Sequence, residues 1–281
     1  MGRSLKMFSL FFLAIALAVG GAGTADAKKT SDSKKTKDPE LANMKYVGAT
    51  KCNGSCHDPY YKAWKESPHG GTFNLLKPGV RNEEKVRAKL DPKKDYTADP
   101  HCLRCHTTGY GQTGGFKPAG TMKKDKDVST KIDPDEPNKE QVGCEMCHSV
   151  QGGSEQRLVM KKTKGDFKKG ETEQFGQRWD YANVCTRCHT HRNTPFQPTL
   201  HDKYKFNFEE RVKKVHQIEK FWSEDNSDQK LEKIKERKKE QARSEKTPLS
   251  IEDWEIKEDK LVFKKEAFPF DKDKSAFNYK K

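Results

Sequence analysis

Apolar side chains are sparse along this chain, and they cluster only briefly. Near the start, Arg3 and Lys6 precede an uncharged stretch from Met7 to Gly20, followed by Ala25-Asp26-Ala27. A basic head, an apolar run too short to span a bilayer comfortably and a small-residue cleavage site read together as a secretory signal over residues 1–27, cut near Ala27. No Cys stands near the cut to take a lipid, and no later segment reaches the length of a membrane helix. The mature chain is therefore expected to be exported and soluble. Residues 28–45 read as a Lys-rich flexible lead.

Beyond the lead, Asp58 and Pro59 are expected to open a short helix that carries Tyr61 and Trp64. Asn207 followed by Glu210 marks a second helix start, after which Phe208, Val212, Val215, Ile218 and Trp222 recur at helical spacing. His216 lies on the edge of that stripe. Thr113 to Glu140, punctuated by Gly114-Gly115, Pro118, Pro134 and Pro137, reads as a long loop. Asp228 to Lys246 is nearly all charged and forms at best a solvated helix. Trp254, Ile256, Leu261 and Phe263 alternate around Glu258-Asp259, which predicts a small hairpin.

Composition sharpens the picture. Only 32% of the 281 residues are hydrophobic and 35% are charged, against about 45–50% apolar in ordinary globular domains. Either much of the chain is disordered, or something other than amino acids supplies the missing apolar volume. The cysteines decide. All 8 Cys fall in four close pairs, each followed directly by His, in a chain with 9 His. At that His frequency, four such adjacencies arise by chance about once in a million.

The pairs are Cys102-Leu103-Arg104-Cys105-His106, Cys144-Glu145-Met146-Cys147-His148, Cys185-Thr186-Arg187-Cys188-His189 and the longer Cys52-Asn53-Gly54-Ser55-Cys56-His57. C-x-x-C-H is the attachment pattern of c-type haem: two thiols form thioethers with the porphyrin vinyl groups, and the following imidazole takes the proximal iron position. Disulfides are the default in an oxidising compartment and zinc is the strongest rival, but neither needs His after every second Cys. In the first motif the extra residue must bulge, which Gly54 permits. Four porphyrins would also supply the apolar volume that the side chains lack. The expected fold is mainly α, with helices and long loops wrapped around four covalently bound haems and little sheet. Residues 46–222 form the tetrahaem domain and residues 223–281 a charged extension.

With His57, His106, His148 and His189 as proximal ligands, five histidines remain: His69, His101, His191, His201 and His216. His69 follows the first motif at a distance far enough to meet a different haem, or else it is an ordinary loop residue beside core aromatics. His216 is either a satisfied core residue or a ligand.

The segments Lys89-Leu90-Asp91-Pro92, Lys93-Lys94-Asp95-Tyr96-Thr97, Gly109-Tyr110-Gly111-Gln112, Gly143-Cys144-Glu145, Thr194-Pro195-Phe196 and Lys203-Tyr204-Lys205-Phe206 resemble, in order, the tetrahaem cytochrome c-554 family of ammonia-oxidising bacteria. That resemblance, over roughly Tyr46 to Trp222, implies His69 as distal ligand of the haem on His148, and His216 as distal ligand of the haem on His57. It also implies a five-coordinate haem on His106, with Thr194, Pro195 and Phe196 closing over its vacant face, where nitric oxide or a similar small molecule could bind. The family places a distal His for the fourth haem shortly after the third motif, but Ser149 to Val184 contains none. Met160 is the available substitute, and His101, His191 and His201 are alternatives. Methionine ligation would raise that haem's potential.

By the same resemblance, the chain is expected to carry electrons in the periplasm from a multihaem donor similar to hydroxylamine dehydrogenase to a quinone-linked membrane cytochrome. Reduction of nitric oxide at the open iron and assembly into a conducting filament are the rivals. The formal net charge of +14 is partly compensated by haem propionates, and the remainder favours redox partners with an acidic docking surface over nucleic acid.

Overall fold

In the computed structural model the described residues are 45–54, 57–150, 155–173, 177–179, 181–227, 229–242, 253–258 and 260–265. The expected signal over residues 1–27, the lead up to Met44, and both Ser55 and Cys56 lie outside them. By its contacts the chain divides into residues 1–36 and residues 37–281, and everything below concerns the second unit.

Short helices joined by irregular chain make up most of this unit. They are α1 (Asp58–Lys65), α2 (Asn82–Arg87), α3 (Pro100–His106), α4 (Glu145–His148), α5 (Glu155–Thr163), α6 (Lys169–Glu173), α7 (Tyr181–His189), α8 (Phe208–Arg211) and α9 (Leu231–Ala242). A 3-10 run, Pro68–Leu76, follows α1. The strands form two antiparallel pairs, β1 (Met122–Lys123) with β2 (Lys126–Asp127) and β3 (Asp253–Lys257) with β4 (Lys260–Lys265). The expected hairpin is thus present, with Trp254 opposite Phe263 and Ile256 opposite Leu261.

Three expectations change in detail. His57, not Asp58, caps α1, and Asp58 is its first residue, paired with Lys62 at 2.8 Å. The helix expected to run from Asn207 to Trp222 is broken: Asn207 caps α8 as read and one 3-10 turn, Val212–Lys214, continues it, but helical geometry then lapses and returns only as a separate 3-10 turn, Ile218–Lys220. The cause is remote in sequence. Lys238 on α9 donates to the His216 carbonyl at 2.6 Å, and Ile218 turns inward against Ala63 and Ile234. For the same reason α9 is not merely solvated, since Ile234 is 1% exposed.

Among the described residues the core is divided into five small apolar clusters, and polar contacts join them around the third motif. The Glu145 carboxylate accepts from the backbone of Val47 and Gly48, at 3.0 and 2.7 Å, anchoring the entry to the first motif. Thr108, just past the second motif, donates to the Gln141 carbonyl and accepts from the Gly143 amide, at 2.7 and 2.8 Å. Arg187 of the fourth motif donates to the Met146 carbonyl. On α1, Trp64 and Tyr61 donate to the Val142 and Pro137 carbonyls, at 2.8 and 3.0 Å.

Candidate functional site

Two of the motifs ride on helices of their own. On α3 and α7 the first Cys, the second Cys and the His stand at i, i+3 and i+4, so both thiols and the imidazole share one helix face. Asp99 caps α3 through the His101 amide, 3.0 Å away, and Pro100 opens it. Cys144 caps α4, which carries Cys147 and His148. In the first motif Cys52 follows a 3-10 turn and His57 begins α1, while Cys56 lies outside the described residues.

The motifs adjoin one another. A hydrogen bond to Cys52, together with burial, holds the Cys144 thiol well above the usual range. Burial pushes Cys147 up to about 11, against the opposing charge of Arg187 and with Cys188 close by. Burial likewise raises Cys102 to about 12. Cys52, Cys102, Cys144, Cys147 and Cys185 carry free thiols, as thioether formation requires.

Hydrogen bonding fixes the tautomer of His106. Its Nδ1 lies 3.1 Å from the Thr72 carbonyl, which can only accept, so Nδ1 carries the proton and Nε2 offers its lone pair. His148 Nδ1 is held by the Gln177 amide at 3.0 Å and the Tyr181 hydroxyl at 3.1 Å. Burial drives both imidazoles toward the neutral, metal-binding form, His148 to about 4 with help from the charge of His57.

Spare histidines meet motif histidines. His216 lies 5.9 Å from His148 between ring centroids, at 24°, and burial lowers it to about 3 with contributions from His148, Lys238, His69 and His57. Tyr60 stands between His57 and His216, 5.8 and 5.6 Å from them. His69 lies 6.1 Å from His189, and burial lowers His189 to about 4, aided by the charges of His69, Arg211 and His106. Phe206 stacks on His189 at 4.7 Å.

The other candidates are placed differently. His191 is buried and stacks on Trp254. His101 and His201 are exposed, and Nδ1 of His201 accepts from the Lys203 amide. Met160 is half-buried on α5. Thr194, Pro195 and Phe196 lie on a loop whose Thr194 amide donates to the His191 carbonyl and whose Phe196 ring packs 5.3 Å from Tyr204. Thr72 and Gln177 were missed from sequence: Thr72 acts through its carbonyl, which every residue type has, and Gln177 belongs to no motif, while Phe206 was read only as the end of the resembling segment Lys203–Phe206.

The donor set fits covalent haem. His106 and His148, half-buried beside the thiols of their pairs, and the half-buried His69 and His216 are all lowered by burial toward the neutral form in which an imidazole binds iron. A zinc ribbon would gather its ligands into a tetrahedron, and among the described residues no three His, Cys, Asp or Glu are so gathered. No helix among them is long and apolar enough to cross a membrane.

Comparison with known proteins agrees. Residues 51–149 match the family model for cytochrome c554 and c-prime. Cytochrome c-554 of Nitrosomonas europaea is 34% identical over 192 residues, which cover 62% of this chain and 74% of that protein. A solved structure of reduced cytochrome c554 from the same organism is 33% identical, with a TM-score of 0.51, covering 62% of this chain and 84% of the other. With mainly helical architecture, haem-attachment motifs and a relative matched over most of its length, the chain belongs to the cytochrome c-554 family, c-type cytochromes whose general role is electron transfer.

Proposed function

We propose that this chain is a periplasmic electron carrier holding four covalent haems, through Cys52 and Cys56, Cys102 and Cys105, Cys144 and Cys147, and Cys185 and Cys188. When bound, haem supplies a one-electron ferric–ferrous couple. The chain supplies anchoring thiols, the imidazoles of His57, His106, His148 and His189, and the packing that keeps the motifs together. One observation carries the reading: the ring contacts of His216 with His148 and of His69 with His189 link ligand candidates of different motifs into one cluster. His216 and His69 are the distal ligands in this reading; the resemblance pairs His216 with His57 and His69 with His148, whereas the ring contacts set His216 beside His148 and His69 beside His189. Met160, with His101, His191 and His201 as alternatives, completes the fourth site. The donor is a multihaem oxidoreductase of the hydroxylamine dehydrogenase type and the acceptor a quinone-linked membrane cytochrome, in nitrogen metabolism.

The test is intact mass with pyridine haemochrome quantitation on chain matured in a periplasm. Four haems and loss of residues 1–27 are expected. Colourless protein of bare polypeptide mass would overturn the reading, and three haems would remove the enlarged first motif from it.

A second reading, binding of a small neutral molecule such as nitric oxide at the haem of His106, draws support from the position of the Thr194–Phe196 loop. The hairpin of β3 and β4 touches both that loop's anchor, Asn193, and α3. Carbon monoxide added to ferrous protein should perturb one haem in four, and no perturbation would remove this reading.

A further inference from the structure

The C-terminal hairpin lies beyond the residues matched by the family model, yet it is built into the body of the protein. Trp254 on β3 is 1% exposed. Its indole lies flat on His191, with centroids 4.9 Å apart and planes at 9°, and its carbonyl accepts from Asn193 Nδ2 at 2.9 Å. On β4, Leu261 packs so closely on Gly111 that a Cβ there would stand 2.8 Å from Leu261 Cδ2. β4 also rests against α3, the helix of the second motif. The hairpin therefore joins the second-motif helix, the turn that leaves it, and the loop that begins at His191.

Hydrogen bonds within the loop add to this hold. The Asn193 amide donates to His191 Nδ1 at 3.1 Å, and the Thr194 amide to the His191 carbonyl at 3.0 Å. Gln197 Nε2 donates to the carbonyls of His191 and Thr194, at 2.9 and 3.1 Å. His191 is thus the knot of the loop, and Trp254 is the flat surface against which the knot is pressed. An indole on an imidazole, reinforced by a side-chain hydrogen bond, fixes both position and tilt.

We propose that the hairpin is a strap that holds the His191–Gln197 loop in place, with Trp254 as its positioning residue, and that it sets how readily a small neutral molecule reaches the haem of His106. The access role rests on the second reading above. Variants of the full, haem-loaded chain test it by two readouts: hydrogen exchange at the Asn193 and Thr194 amides, and the rate of carbon monoxide binding to ferrous protein. Trp254→Ala should speed both about tenfold, as loss of one aromatic stack implies. Trp254→Phe, which keeps a ring on His191, should stay within about twofold of the unchanged protein. Asn193→Ala, which spares the indole, should give a smaller acceleration of about threefold if the larger deletion fails to fold. Unchanged exchange in Trp254→Ala, or in Asn193→Ala where Trp254→Ala does not fold, overturns the strap. Faster exchange with an unchanged binding rate overturns the access role alone. Failure of the unchanged protein to bind carbon monoxide overturns the open-haem reading and the access role with it, while the exchange data still decide the strap.

Discussion

Glu140 is a carboxyl 1% exposed to water, four residues ahead of the third motif. One oxygen accepts from the Asn138 amide at 2.8 Å, and the other is buried without a hydrogen-bonding partner. Burial raises its pKa above the usual 4.5. A raised folded pKa means that the folded chain keeps a proton the unfolded chain has already lost, so stability falls as pH rises from about 4.5 through the folded value. Glu140→Gln has no such proton. Its stability relative to the unchanged protein should therefore improve steadily above pH 4.5, by denaturant unfolding at a series of pH values, and a pH-independent difference would contradict this. At His148, a haem iron held by Nε2 would leave the proton on Nδ1, which Tyr181 Oη could accept at 3.1 Å. The Gln177 oxygen is buried without a partner, so a flipped amide would accept the same proton. An accepting neighbour makes the imidazole a stronger donor. Tyr181→Phe should raise the midpoint potential of that one haem by tens of millivolts in a spectroelectrochemical titration, with the others unmoved.

At the scale of elements, the turn after α3 shows how tightly irregular chain can be specified. Gly109 has φ +65°, and a Cβ there would stand 2.2 Å from the Tyr46 ring, while a Cβ on Gly115 would stand 1.7 Å from the Gly109 carbonyl oxygen. Neither backbone nor a core tyrosine can yield that much. Gly115→Ala should cost more than about 3 kcal/mol or prevent maturation. Gly79→Ala, at φ +75° with open space around it, should cost only about 1 kcal/mol, and thermal unfolding of the two matured variants compares them. Elements whose cause is local were legible in the sequence: α1 from its proline, the hairpin from its alternation, and the attachment motifs from their spacing. Elements shaped by remote partners were not. The break after α8 depends on Lys238 reaching the His216 carbonyl, and the burial of Ile234 depends on Ala63 and Ile218, none of which a local pattern of charges records. The site divides in the same way. The Cys and His of the motifs announce themselves, whereas the carbonyl of Thr72 and the stack of Trp254 on His191 exist only once the chain is folded.

For the molecule as a whole, charge decides how it meets a partner. The chain carries 56 Lys and Arg against 42 Asp and Glu, and several of the acidic groups are occupied in ion pairs within the chain, such as Glu84 with Lys203 at 3.0 Å and Glu219 with Lys238 at 2.9 Å. Such exposed pairs add little stability, and each cancels one Lys against one acid, so the formal excess of +14 stands. If the proposed acidic redox partner docks through that excess, its encounter rate should exceed that of neutral surfaces, an advantage that salt removes because the Debye length shrinks from about 30 Å at 0.01 M to about 8 Å at 0.15 M. Electron exchange with an acidic donor protein, followed by stopped flow, should therefore slow about tenfold or more over that range of ionic strength. Reduction by a small uncharged reductant should hardly change, because no long-range attraction assists it. If both reactions were equally insensitive to salt, the net charge would serve only to balance haem carboxylates inside the protein, and docking would have to rest on apolar contact.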